Sequence, residues 1–224
     1  MKAIIFDAGT LISLSMSGLL NVLKDLKKNF KGKFLITKTV EYEMITRPMN
    51  IKKYKLGALR LKKLFDEKVI ELPNSFKIDN KELDRQTKYY IQTANSTFYK
   101  GDTAIHLIDK GEAECLALSS LLSEKDIENV IAIDERTTRM LCEKPENLKK
   151  LMEKKLHTKI TSKPVPKKLK EFKFIRSSEI VYVAFKKGII EDKSKEMLDA
   201  LLYGVKFKGC AITGDEIREM KKLQ

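Results

Sequence analysis

Cysteine and histidine are scarce in this chain. The three cysteines, Cys115, Cys142 and Cys210, lie far apart without a CxxC pair, and there are only two histidines. That excludes a disulfide framework and a zinc site built on Cys and His, and it suits buried free thiols in a reducing compartment. Long apolar runs are missing too: no window approaches the roughly eighteen uninterrupted apolar residues that suggest a membrane span. The opening MKAIIFDAG breaks its apolar run at Asp7, too early for a signal peptide, so the expected location is cytoplasmic, with no membrane partner. Acids are outnumbered, 31 Asp and Glu against 45 Lys and Arg, a formal net charge of +14. Such an excess favours polyanionic partners through long-range attraction and counterion release, and it points toward nucleic acid.

What is present fits a globular domain. The 224 residues are 42% hydrophobic and 34% charged, enough to bury a core in one domain, with or without an extension. AIIFDAG (3–9) reads as a fully buried strand feeding a turn, and LISLSMSGLLNVLKDLKKNF continues at helical spacing. KFLIT (33–37) is a second buried strand, and TVEYEMITR a short helix that Pro48 helps to end. A basic amphipathic helix and a strand-like VIELP fill 51–73. A long helix begins near Gly111, NVIAID (129–134) is another buried strand, and ERTTRMLCEK opens a further helix. This alternation predicts an α/β fold with a mostly parallel sheet.

Two stretches stand apart. Residues 76–101 are polar with interspersed aromatics and read as an insertion or helical arm. Residues 143–176 form the most basic tract, linker-like around Pro164 and Pro166. The organisation expected is an α/β domain over 1–142, the basic tract, and a helical extension over 177–224.

In parallel α/β sheets, ligands bind at the carboxyl ends of the strands. Asp7 and Asp134 each end a predicted strand, Glu43 follows the second strand by about two turns, and Glu112 opens the helix before the Asp134 strand. Clustered carboxylates repel unless a cation sits among them. Mg²⁺ or Mn²⁺, which take oxygen ligands, would meet that need and activate a water for phosphodiester cleavage.

These segments resemble the PIN-domain ribonucleases. IIFDAGTLISL resembles the family's first strand with its leading Asp, here Asp7. ITKTVEYEMITRP resembles the second motif, whose Glu is here Glu43. DKGEAECLALS is similar to the GEAE-type third motif and VIAIDERTTRML to the fourth, an acidic pair followed by Arg. AFKKGII and LLYGVKFKGCAITGDEI resemble the C-terminal extension of one prokaryotic branch. The resemblance implies a three-layer α/β/α sandwich and Mg²⁺- or Mn²⁺-dependent cleavage of RNA. It implies Asp7, Glu43, Glu112 and Asp134 as metal ligands, with Glu135 a further catalytic candidate. It also implies an RNA-processing or toxin-like role, with an antitoxin protein as partner in the second case and homodimers in either. Gly9 departs from the pattern, since relatives often carry Ser there. Glu112 and Glu114 lie about 200° apart on a helix, so one of them faces the site; Glu112, which opens the helix, is preferred. Asp134 is preferred over Glu135, which stays as second candidate.

Two other readings compete. One is an RNA-binding protein of the same fold without cleavage. The other is a haloacid-dehalogenase-like phosphatase, suggested by FDAGTL and ITGDEIRE, although Gly9 stands where that chemistry needs its second Asp. His106 is expected to be a helix residue and not a base.

Overall fold

The apolar run after Met1 forms β1 (Lys2–Phe6), and β1 is central: it pairs in parallel with β2 (Gly32–Leu35) on one side and β5 (Glu128–Ala132) on the other. The computed structural model describes residues 1–223. Between β1 and β2 run α1 (Ala8–Met16) and α2 (Leu20–Asn29), two helices where the sequence pattern suggested one. Gly18 separates them at φ +73°, a left-handed turn that glycine adopts without penalty. After β2, α3 (Lys38–Glu41) passes through a π-turn (Tyr42–Thr46) into α4 (Arg47–Met49), and α5 (Lys55–Asp66) follows. The strand-like VIELP contributes one bridge, Leu35 to Glu71.

The remaining elements are α6 (Asn80–Asn95), β3 (Phe98–Lys100), β4 (Thr103–Ala104) and α7 (Lys110–Ser123), then β5 and α8 (Arg136–Glu143). They continue with α9 (Pro145–Leu156), β6 (Thr161–Ser162), β7 (Phe174–Ile175), α10 (Ser177–Lys186), α11 (Lys195–Phe207) and α12 (Gly214–Lys222). The sheet order is β2-β1-β5-β7, all parallel, with a small antiparallel sheet β4-β3-β6 beside it. The chain is therefore α/β with a parallel central sheet. Stepping from β1 to β2 and then back across to β5 sends successive right-handed crossovers over opposite faces. Accordingly α2 and α10 cover the face bearing Ile4, Phe6, Phe34 and Ile175, while α7 packs across β1 and β5. No helix among the described residues is long and apolar enough to cross a membrane.

The two stretches that stood apart in sequence carry structure. Residues 76–101 hold α6, which packs along α7 with Tyr90 and Ala94 fully buried. Residues 143–176 hold α9, β6 and β7, so the fourth strand of the central sheet comes from the basic tract. β6 pairs with β3, joining the two stretches to each other. Strands of two or three residues are too short to leave an alternation in the sequence, which is why they read as additions.

Candidate active site

Asp7 follows directly on β1, its N–H bonded to Ala132 O at 2.9 Å, so the β1 and β5 ends are tied together. It caps α1: Oδ2 accepts from Gly9 N at 3.0 Å, the usual service of an aspartate at this position. At 8% exposure it is buried. Burial pushes its carboxyl up to about 6; the Gly9 N–H opposes this, and the charges of Glu43 and Asp134 add to it. A Cβ at Gly9 would stand 3.2 Å from Asp7 Oδ2, so a serine at this position would set its hydroxyl beside this carboxylate.

Glu43 sits in the π-turn, which widens the helix and re-aims its side chains; such turns recur at functional sites. Its carboxylate lies against Gly111, where a Cβ would come within 3.0 Å of Oε2. The glycine of the third motif thus has a physical reason: it lets Glu43 approach the start of α7. Burial raises the Glu43 carboxyl, followed by the charges of Glu112, Asp109 and Glu114, with Arg47 acting the other way.

Glu112 is the third residue of α7 and reaches back to accept from Asp109 N at 2.7 Å, the side-chain-to-N-cap half of a capping box. Its carboxyl is pushed up to about 7, first by burial, then by Asp7, with Glu135 and Asp109 adding smaller amounts. Glu114 faces elsewhere. Its oxygens accept from Thr39 Oγ1 at 2.6 Å and Thr39 N at 3.2 Å, with Lys110 at 3.5 Å, so it secures the start of α3.

The fourth-motif acids differ from each other. Asp134 is 2% exposed and commits both oxygens to Ser177: Oδ1 accepts from its N–H and Oδ2 from its hydroxyl, each at 2.7 Å. It holds the start of α10 against the sheet end while its charge bears on Asp7. Glu135 caps α8, Oε2 accepting from Thr138 N at 2.9 Å, and its charge bears on Glu112. Asp134→Asn puts an amide NH₂ against a Ser177 donor. It is expected to lower stability by about 1–2 kcal/mol, the cost of one spoiled buried hydrogen bond; urea denaturation is the check.

Five sequence-named acids therefore meet at one end of the parallel sheet, and no described Lys or Arg is ion-paired with any of them. The nearby ion pairs belong to other acids, Glu114 with Lys110 and both Glu179 and Glu216 with Arg176. Glu112 Oε1 and both Glu43 oxygens accept no hydrogen bond from described residues, and Asp7 accepts only from the backbone N–H groups of Gly9 and Ala8. Desolvated, mutually repelling carboxylates with open oxygens suit a hard divalent cation. Among the described residues, no three acidic, His or Cys side chains are gathered tightly enough to hold an ion by themselves.

Some contributors escaped the sequence reading. Asn95, at the end of α6, accepts from Leu107 N and Ile108 N at 2.6 and 3.0 Å and donates to Ile108 O, fixing the loop that delivers Asp109 and Glu112. Ser177 is equally silent in sequence; both are single polar residues at helix ends with no motif around them. His106 is an exposed residue of that same loop and not of a helix, with Nε2 2.7 Å from Asp109 Oδ1. Asp215 of the ITGDEIRE segment is exposed and paired with Arg218, which leaves a phosphatase reading without its later acid. Among known proteins, no family model, curated protein or solved structure matches the chain.

Proposed function

We propose that the protein is a metal-dependent nuclease, and specifically a PIN-type ribonuclease. The observation that carries this reading is the convergence of Asp7, Glu43 and Glu112. Three separate segments deliver them, desolvated and without an ion pair to any described Lys or Arg, to the carboxyl end of a parallel sheet. A parallel order with helices on both faces is consistent with the three-layer sandwich of that family. The net charge of +14 suits an RNA substrate.

Asp7, Glu43 and Glu112 would hold Mg²⁺ or Mn²⁺, with Asp134 and Glu135 completing the negative surround. Bound there, the ion lowers the pKa of a coordinated water and offsets charge building on the phosphate. The chain's own part is positional. The α1 cap fixes Asp7, the capping box fixes Glu112, and Gly111 leaves room for Glu43. In the reaction the water oxygen bonds phosphorus and the P–O bond to the leaving oxygen breaks; one water proton ends on the leaving oxygen and the other is released from the new phosphate end.

Incubation with total RNA plus Mn²⁺, followed by sequencing of the new ends, tests the proposal; RNA that is bound and never cut would leave only a binding protein. Glu114→Gln gives a local check. With its oxygens already bonded to Thr39, this variant is expected to keep cleavage within a few-fold and to lose about 1 kcal/mol of stability. A loss of cleavage matching that of a Glu112 variant would exchange the roles of the two acids. A processing enzyme, a toxin with an antitoxin partner and a homodimer are all compatible with this site.

A further inference from the structure

Beside the acids runs a groove that the cleavage chemistry leaves unused. Its volume is about 470 Å³, it is walled by α1, the π-turn and α5, and Glu43 is among the residues that line it. Sites for small organic groups have this size. Met16, Tyr54 and Leu56 line it while 60%, 51% and 61% exposed, a concentration of bare apolar surface that calls for an occupant.

The rim is cationic. Arg47, Lys53 and Arg60 border the groove, and the acids at the end of α5 are paired with other lysines, Asp66 with Lys62 and Glu67 with Lys24 and Lys63. Lys53 Nζ lies 5.3 Å from the centroid of the Tyr54 ring, so a half-exposed aromatic ring and a cation stand together. An apolar floor, an exposed ring and cations spaced along the edge are what a single nucleic-acid strand uses: rings stack bases and cations meet phosphates. An apolar protein helix would use the floor but not the cations. A duplex keeps its bases stacked inside and cannot lay one on the floor.

We propose that this groove is a nucleobase subsite. It takes one unstacked base of a single-stranded RNA against Tyr54, with Arg47, Lys53 and Arg60 on the neighbouring phosphates, and so sets the strand that leads to Glu43. The inference rests on the nuclease reading for the nature of the strand, and its test keeps binding apart from cleavage.

The probe is a short single-stranded RNA carrying one 2-aminopurine, titrated in EDTA so that no cleavage occurs. With wild type and Tyr54→Phe, saturable binding with quenched fluorescence is expected, since both keep an aromatic face. Tyr54→Ala, at an exposed position and with an unchanged thermal melt as control, should lose the quench and bind about tenfold or more weakly. A duplex of the same length should bind without Tyr54 dependence. Equal affinity and quench in Tyr54→Ala would overturn the subsite, as would an absence of strand binding, which would hand the groove to a protein. Tyr54-dependent binding of an RNA that Mn²⁺ never causes to be cut would retain the subsite and remove the nuclease. Cleavage with Tyr54-independent binding would do the reverse.

Discussion

Asp7→Asn is expected to abolish Mn²⁺-dependent RNA cleavage and at the same time to stabilise the metal-free protein. The two effects share one cause. Asp7 is buried at the sheet end, and its carboxyl is pushed up to about 6 by that burial, with Glu43 and Asp134 adding repulsion. Removing a group that stabilises transition-state charge costs roughly a hundredfold to a thousandfold in rate, and loss of a metal ligand should cost at least that. The same substitution removes a charge whose burial is unfavourable. One pKa unit corresponds to about 1.4 kcal/mol, so relief of roughly 1–3 kcal/mol is expected near pH 8, less whatever the neutral cap loses. Asn also caps helices well, so α1 should persist. Assays with end-labelled RNA and urea denaturation of the two proteins supply the comparison. Unchanged cleavage would move the site away from Asp7; cleavage lost together with stability would make Asp7 a structural residue.

The second large effect is a pH-dependent stability that a divalent cation reverses. Asp7 and Glu112 bind protons more tightly in the fold, with values of about 6 and 7. The folded state therefore carries protons that the unfolded chain has released, and stability falls as pH rises. This contribution is fully present below the ordinary carboxylate values near pH 4 and is lost as pH rises through about 6 and 7. Glu179 and Glu216 have the opposite sign: against their burial, Arg176 holds Glu179 below the ordinary range, and the Thr213 N–H followed by Arg176 does so for Glu216; their contribution is lost in acid, so pH 5 to 8 is the window to measure. Across it the metal-free wild type should lose about 1–2 kcal/mol relative to Asp7→Asn, which keeps Glu112 but lacks the Asp7 carboxyl. At pH 8, Mn²⁺ or Mg²⁺ at a hundred times its Kd adds about 2.7 kcal/mol, which for a chain of this size is roughly 5–10 °C in Tm. No shift in the wild type would remove the metal site, and an equal shift in Asp7→Asn would locate the ion elsewhere.

How far the sequence reaches is visible residue by residue. Asp7 was legible as an acid that ends an apolar strand, and β1 lies where that strand was expected; that it also caps α1 shows only in the structure. The start of α7 was legible from its Gly and acids, and the structure begins the helix at Lys110. The choice between Glu112 and Glu114 was open because both lie in the first turns of one helix, and what distinguishes them is Thr39, 75 residues away in sequence from Glu114. Asp134 and Glu135 are adjacent in the chain, yet one grips Ser177 and the other caps α8; no local pattern separates those duties.

The sequence alone determined the α/β alternation, the basic balance and the acids at the element ends, because period and composition are local properties that burial imprints directly. Tertiary structure alone decided that β7 completes the sheet, that β3 pairs with β6, and that Asn95 and Ser177 set the acids' positions. Those outcomes depend on contacts between residues distant in the chain, made by strands too short and polar groups too isolated to leave a periodic trace.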